Sequence, residues 1–275
     1  MKSKKGRGGR LSKDERRKLI TLRLEHYPAI RVSVLASDIG VSTETIRRDL
    51  EDLEKDGLIS RAYGFAARPL SPEPEFMARD RLFSEPRNRI AKAMSALVED
   101  GQVLIIGSST TTLRVAERLA ADHKDLCVYT DSTLIASKLA SNPTFRIRLA
   151  PGIYKESERC VYGPDTVDYL RRVYANHAIL GATGLTSEGI SNADHDVGET
   201  YRAMSLRAEQ VTVVADHSKF LRPAVNTYAQ WAVVDRLITD MPLYGDDLIQ
   251  GLKAARVEVV VAGDGDGGQD PPAED

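Results

Sequence analysis

Two rhythms of apolar spacing run along the chain. From residue 11 to about 68, apolar side chains recur in short helical blocks: Leu19, Ile20, Leu22 and Leu24, then Val34, Leu35 and Ile39, then Ile46, Leu50 and Leu53. Further on, short apolar runs alternate with amphipathic stretches. VLIIG (103–107), LCVYT (126–130), FRIRLA (145–150), AILGA (178–182), VTVVA (211–215), RLIT (236–239) and VEVVVA (257–262) read as strands. Helical patterns fall between most of them, at about 87–99, 110–121, 132–141, 164–175, 196–209 and 246–255. Buried strands spaced by helices predict an α/β unit with a mostly parallel sheet covered on both faces. Residues 69–88 hold four prolines and many charges and read as a linker. The expected organisation is therefore a small helical module over 11–68, a linker over 69–88 and an α/β module over 89–262. A basic arm (1–10) and an acidic, Gly- and Pro-bearing tail (263–275) lack core-forming patterns and are expected to be disordered.

The first module reads as a helix-turn-helix with a wing. A helix over about 32–39 ends at Gly40, which tolerates a left-handed exit. Ser42 is placed to cap the next helix, with Glu44 favourable in its first turn. Ile46, Leu50 and Leu53 then form one buried stripe. The opposite face offers Thr43, Thr45, Arg47 and Arg48 near the N-terminal end, the end a recognition helix places in the major groove. In GLISRAYGF (57–65), Gly57 stops the helix, LIS suits a strand and Gly64 suits a turn, so Arg61 would face phosphate from a β-wing. The alternative is that Arg47 and Arg48 are solvated partners of Asp49, Glu51 and Asp52.

Composition changes this picture mainly through charge. The 275 residues are 42% hydrophobic and 28% charged, which excludes a disordered or collagen-like chain. The net charge of −2 argues against a polyanion partner until it is divided. Residues 1–68 carry 16 Lys/Arg against 10 Asp/Glu, a net of +6, and the remainder is net −8. Two cysteines, Cys127 and Cys160, make neither a disulfide framework nor a zinc motif. No apolar run approaches a membrane span and the basic N-terminus lacks a signal-peptide core, so the expected compartment is the cytoplasm.

The run VSTETIRRDLEDLEKDGLISRAYG (41–64) resembles the winged helix-turn-helix signature of the DeoR family of bacterial transcriptional regulators. It departs from that pattern at Arg31, where the family has Ser or Thr, and at 63–66, where Tyr-Gly-Phe-Ala replaces His-Gly-Gly-Ala. The resemblance continues to about residue 240. It implies an effector domain similar to ribose-5-phosphate isomerase and the CoA transferases, sensing phosphorylated sugars.

Four segments carry that implication. In IIGSSTTTLRVAERL (105–119), the hydroxyls of Ser108, Ser109, Thr110, Thr111 and Thr112 and a helix N-terminus suit a phosphate, or else merely cap the helix. The family's Asp-Ser-Gly-Thr-Thr loop has Gly107 and Ser109 as departures here. YTDST (129–133) resembles the family's Thr-Asn-Ser and brings in Thr130 and Asp131. APG (150–152) resembles Pro-Gly-Gly, with Gly152 retained and Ile153 as the departure. ADHSKF (215–220) resembles Asp-x-Ser-Lys-Phe, giving Lys219 as a point charge for phosphate, or else a solvated surface lysine. A fifth stretch, GATGLTSEGISNAD (181–194), reads as a permissive Gly/Ser/Thr/Asn loop. Tyr201 stands where the family often has a lysine.

An isomerase would need a positioned carboxylate base. Asp131, Asp194, Asp196, Glu199 and Asp216, with His177, His195 and His217, are available, but no spacing pairs them. No HExxH, nucleophile elbow or Walker loop occurs, so no catalytic residue, metal or cofactor is expected. The expected partners are a double-stranded DNA operator, a small phosphorylated metabolite and further copies of the chain in a homodimer or larger homo-oligomer, with no membrane. A sugar-phosphate-processing enzyme carrying a helix-turn-helix, or a DNA-binding protein with a purely oligomerising second module, are the alternatives.

Overall fold

The computed structural model describes residues 11–26, 29–55, 60–62, 65–67 and 73–263. The basic arm, Gly57, the Tyr63–Gly64 turn and nearly all of the acidic tail lie outside the described residues. The chain divides into two compact units, Met1–Pro72 with Phe220–Arg222 and Glu73–Lys219 with Pro223–Asp275.

The first unit contains helices α1 (Lys13–His26), α2 (Val32–Ile39) and α3 (Thr43–Lys55) and strands β1 (Ala29–Arg31), β2 (Ser60–Ala62) and β3 (Phe65–Ala67). A reciprocal capping box starts α1: Glu15 N–H donates to Ser12 Oγ (3.2 Å), and Ser12 N–H donates to the Glu15 carboxylate (2.8 Å). At the exit of α2, Gly40 is left-handed (φ 74°), and both Gly40 and Val41 N–H bond to the Ala36 carbonyl at 3.0 Å. That closure turns the chain sharply toward α3. Ile20, Leu24, Ile30, Leu35, Ala36, Ile46, Leu50 and Leu53 form the core. β3 pairs antiparallel with both β1 and β2, completing a winged helix-turn-helix. The apolar pattern had not marked β1, which is too short to show a period.

The second unit is built on a seven-stranded, wholly parallel sheet. From edge to edge its strands are Glu258–Val261, Arg236–Thr239, Ala208–Val214, Ala175–Leu180, Val103–Ile106, Cys127–Thr130 and Arg146–Leu149. These are the seven apolar runs read from the sequence. The chain winds outward from Val103–Ile106 in one direction. It then returns beside that strand with Ala175–Leu180 and winds the other way. The switch of direction leaves a crevice at the carboxyl ends of these two central strands, where open α/β sheets bind ligands.

Two expectations are corrected here. The described part of the 69–88 segment is folded: it forms helix Phe76–Asp80 and enters helix Ser84–Ser95, with Phe76, Arg79 and Arg87 buried. Its prolines misled because Pro72 and Pro74 precede the first helix, while Pro86 sits in the first turn of the second, where no N–H is required. The GATGLTSEGISNAD stretch is not a loop but a hairpin, Gly184–Thr186 with Gly189–Asn192, extended by strand Asn226–Ala229. Its small polar residues carry no apolar alternation, and Gly189 (φ 134°) permits the turn.

Candidate functional site

The helix-turn-helix presents an open basic face. Ser42 Oγ accepts from Thr45 N–H at 3.2 Å, so Ser42 caps α3. Ser42, Thr43, Arg47 and Arg48 are exposed and Thr45 is half-buried. Among the described residues, the guanidinium groups of Arg47 and Arg48 approach Glu44, at 3.9 and 3.4 Å, with 58% and 76% of their side chains exposed. Asp49, an expected partner, is instead buried and held by Arg16 through two bonds of 2.6 and 2.9 Å. Arg16 thus locks α1 to α3 and leaves the two arginines on the open side. Arg61 belongs to β2; its side chain lies outside the described residues.

In the α/β unit, three loops meet at the switch point: Gly107–Thr111 after Val103–Ile106, Gly181–Thr183 after Ala175–Leu180, and Asp216–Lys219 after Ala208–Val214. With Glu73, Arg79, Glu158, Asp194 and Tyr201 they enclose a cavity of about 40 Å³. Such a space admits a few waters and not a phosphorylated sugar as it stands. A larger hollow of about 290 Å³, near Gly163 and Arg171, sets Asp168, Asp196 and Glu199 against one arginine, the wrong sign for a phosphate.

Of the residues expected to bind effector, Ser108, Ser109, Thr110, Thr111 and Lys219 line the cavity. Ser109 caps the helix Thr110–Asp122 by accepting from Thr112 N–H at 3.0 Å. The first-turn N–H groups of Thr110 and Thr111 are those a helix leaves without an intrahelical partner. Lys219 Nζ reaches Glu73 Oε1 at 2.6 Å, and both side chains are less than a tenth exposed. Burial alone would raise the Glu73 carboxyl, but the charges of Lys219 and Arg79, with hydrogen bonds from Lys219 and Thr183, lower it to about 2. The Arg79 guanidinium lies 3.9 Å from Glu73 and forks onto Glu158 at 3.1 and 2.6 Å.

Thr130, Asp131 and Gly152 do not line the cavity. Asp131 is fully buried beneath it and accepts from Ser108 N–H (2.8 Å) and Ser108 Oγ (2.9 Å). Burial pushes its carboxyl up to about 7 against those two bonds. Asp131 therefore positions the loop. Thr130 Oγ1 accepts from Ser132 N–H at 3.1 Å. Gly152 is packed against Thr166 and the Tyr162 carbonyl, where a Cβ would collide at 2.1 and 2.7 Å. Thr130 ends the strand Cys127–Thr130, and Asp131 and Gly152 lie in the connections that follow that strand and the edge strand Arg146–Leu149.

Sequence reasoning missed Glu73 and Arg79, because the prolines around them read as linker. It noted Tyr201 and Gly107 separately, and the structure joins them. Tyr201 is buried, donates its hydroxyl to the Ser108 carbonyl and lies 3.0 Å from where a Gly107 Cβ would stand. A side chain at 107 would crowd this ring and the Leu180 side chain, so one of them would have to shift. The other candidate catalytic groups are committed or displaced. Asp216 is paired with Arg87 at 2.9 Å, Asp194 with Lys155 and His217 with Asp240 at 2.6 Å. His177 is buried within the central strand Ala175–Leu180, and Asp196 and Glu199 lie in the outer hollow.

A winged helix-turn-helix joined to a parallel α/β unit with a cation-bearing cavity at its switch point defines a ligand-responsive DNA-binding regulator. Comparison with known proteins agrees. Residues 16–71 match the DeoR-like helix-turn-helix domain, and residues 83–241 match the DeoR C-terminal sensor domain. A candidate aga operon transcriptional repressor of Escherichia coli O157:H7 is 32% identical over 91% of this chain and 94% of its own length. The glycerol-3-phosphate regulon repressor of Escherichia coli K12 is 33% identical over 76% of this chain and 83% of its own. Among solved structures, ribose 5-phosphate isomerase A from Neisseria gonorrhoeae is 15% identical over 49% of this chain and 53% of that one, with a TM-score of 0.37. The chain belongs to the DeoR family of transcriptional regulators.

Among the described residues, no helix is long and apolar enough to cross a membrane.

Proposed function

We propose that this chain is a cytoplasmic repressor of carbohydrate-metabolism genes, controlled by a small phosphorylated metabolite and without enzymatic turnover. The observation that carries the sensing part is Lys219. It is a buried lysine at the carboxyl end of a strand, sharing one cavity with the first turn of the helix Thr110–Asp122. A point charge beside free helix amides is the arrangement that receives a phosphate. The relatives' names, repressors of the aga operon and of the glycerol-3-phosphate regulon, support both the sign of control and the ligand class.

On the DNA side, Ser42, Thr43, Thr45, Arg47 and Arg48 meet the major groove and Arg61 the backbone. A single small winged module rarely supplies specific affinity at physiological salt, so a homodimer or larger homo-oligomer reads paired half-sites. Metabolite binding shifts operator affinity by its differential affinity for two arrangements of the chain. The commitment of Asp216, Asp194 and His217 to structural pairs speaks against an isomerase.

Retention of genomic fragments by the full-length protein, with and without a panel of sugar phosphates, tests this reading. Fragments should be retained and then released by one of the panel. No retention at low salt would refute a regulator, and turnover of a sugar phosphate would refute the absence of catalysis.

A further inference from the structure

We propose that Glu73 is a built-in occupant of the anion subsite: its carboxylate sits where the metabolite's phosphate binds, and the metabolite enters by displacing it. This rests on the reading of the cavity as a phosphate site.

Three observations converge. The first is the donor set. A lysine ammonium at 2.6 Å, the Thr183 hydroxyl and an arginine at 3.9 Å all address the Glu73 carboxylate inside the cavity. Ammonium, hydroxyl and guanidinium are the groups that bind a phosphate monoester.

The second is charge. The cavity wall carries two cations, Lys219 and Arg79, against three carboxylates, Glu73, Glu158 and Asp194. Glu158 has Arg79 and Asp194 has Lys155 as close partners, which leaves Glu73 as the carboxylate in contact with Lys219. A dianion added with Glu73 in place would enter a wall that is already net negative. Exchanging one anion for the other keeps the buried cations paired, as burial demands.

The third is room. The 40 Å³ of the pocket holds only a few waters while Glu73 is in place, and withdrawal of that side chain is what opens it at Lys219. Glu73 is the one placed to leave. It lies outside any helix or strand, just before helix Phe76–Asp80, so withdrawing it breaks no secondary structure. The Glu73 carboxyl is held low enough to stay ionised throughout the physiological range, so it is a true anionic competitor.

Calorimetric titration of inorganic phosphate into the full-length protein at fixed ionic strength tests the displacement. Glu73→Gln keeps the shape and a hydrogen-bonding oxygen, and Glu73→Ala clears the site. Both should bind phosphate at least about tenfold more tightly than wild type, given the strength of a charge contact at this depth. Lys219→Met should bind none. If both Glu73 variants bind no tighter than wild type while Lys219→Met still loses phosphate, the site stands and the displacement is wrong. If Lys219→Met binds as wild type does, or no protein binds, the phosphate site itself fails and takes the displacement with it. A measurement needing no variant runs alongside: in wild type, saturating phosphate should speed backbone hydrogen exchange over 73–80. Phosphate binding with unchanged exchange there overturns the proposal even if both variants fail to fold.

Discussion

The two cationic regions of this protein are built in opposite ways. On α3, Arg47 and Arg48 stand with 58% and 76% of their side chains in solvent, loosely tied to one exposed glutamate. In the α/β cavity, Lys219 and Arg79 are nine-tenths or more buried, each against its own carboxylate. Exposed pairs like those of α3 contribute little to stability and exchange readily for another anion. They suit a large polyanion that supplies many contacts and a long-range field. Buried cations cannot wait unpaired, so the protein furnishes the missing anion itself. A small ligand must then compete with a group already in place. The contrast predicts that damage to the cavity appears first as lost stability, whereas damage to α3 appears only as lost DNA affinity.

Arg87→Ala should give the largest effect. Arg87 is buried, pairs with Asp216 at 2.9 Å and binds the carbonyls of Arg79 and Leu82 at 2.7 and 2.8 Å. Removing it strands a buried carboxylate and should cost about 3–5 kcal/mol in urea unfolding of the α/β unit. A loss below about 1 kcal/mol would mean the cavity wall is not held as described.

Arg48→Ala comes next. It should weaken operator binding by about 1–3 kcal/mol if the side chain reads a base. The melting temperature and phosphate binding should stay unchanged, which is the sharpest form of the contrast. An equal loss of stability would erase it.

The smallest effect concerns His217, whose backbone N–H and ring bind Asp240 at 2.7 and 2.6 Å and anchor the loop that carries Lys219. The hydrogen bond to Asp240 raises the imidazole's pKa above its usual value, against burial. A raised folded pKa contributes stability that is complete below the unfolded value, near 6.5, and is lost as pH rises through the folded value. His217→Gln should therefore cost more stability at pH 6 than at pH 8.5, read from paired thermal melts. An equal cost at both would show that the pair does not carry the charge.

Much of the fold was legible because burial writes directly into residue type. Apolar runs gave the five inner strands of the parallel sheet, which are mostly buried. The more exposed edge strands Arg146–Leu149 and Glu258–Val261 showed through their β-branched and apolar residues, and the stripe Ile46, Leu50, Leu53 gave α3 its buried face. The capping residues Gly40, Ser42 and Ser109 were legible for a local reason, since helix ends impose fixed chemistry on one or two positions. The cavity was only half legible. Ser108–Thr111 and Lys219 lie on loops that follow recognisable strands. Glu73 and Arg79 come from a proline-rich stretch with no period, and their partners Lys219 and Glu158 lie 146 and 79 positions away in the chain. Asp131 shows the reverse case. A polar residue after a strand looks like a ligand contact, but the direction in which the sheet winds places it under the loop rather than in the crevice.

The proposed function joins an open DNA-reading face to an anion-exchanging cavity that controls it. The most direct measurement is the affinity of the full-length protein for a retained genomic fragment, titrated with the sugar phosphate that releases it, for wild type and Lys219→Ala. Wild type should lose affinity as the metabolite rises, while Lys219→Ala should bind the fragment as tightly as metabolite-free wild type and ignore the metabolite. A Lys219→Ala protein that still releases DNA at the same metabolite concentration would contradict the account.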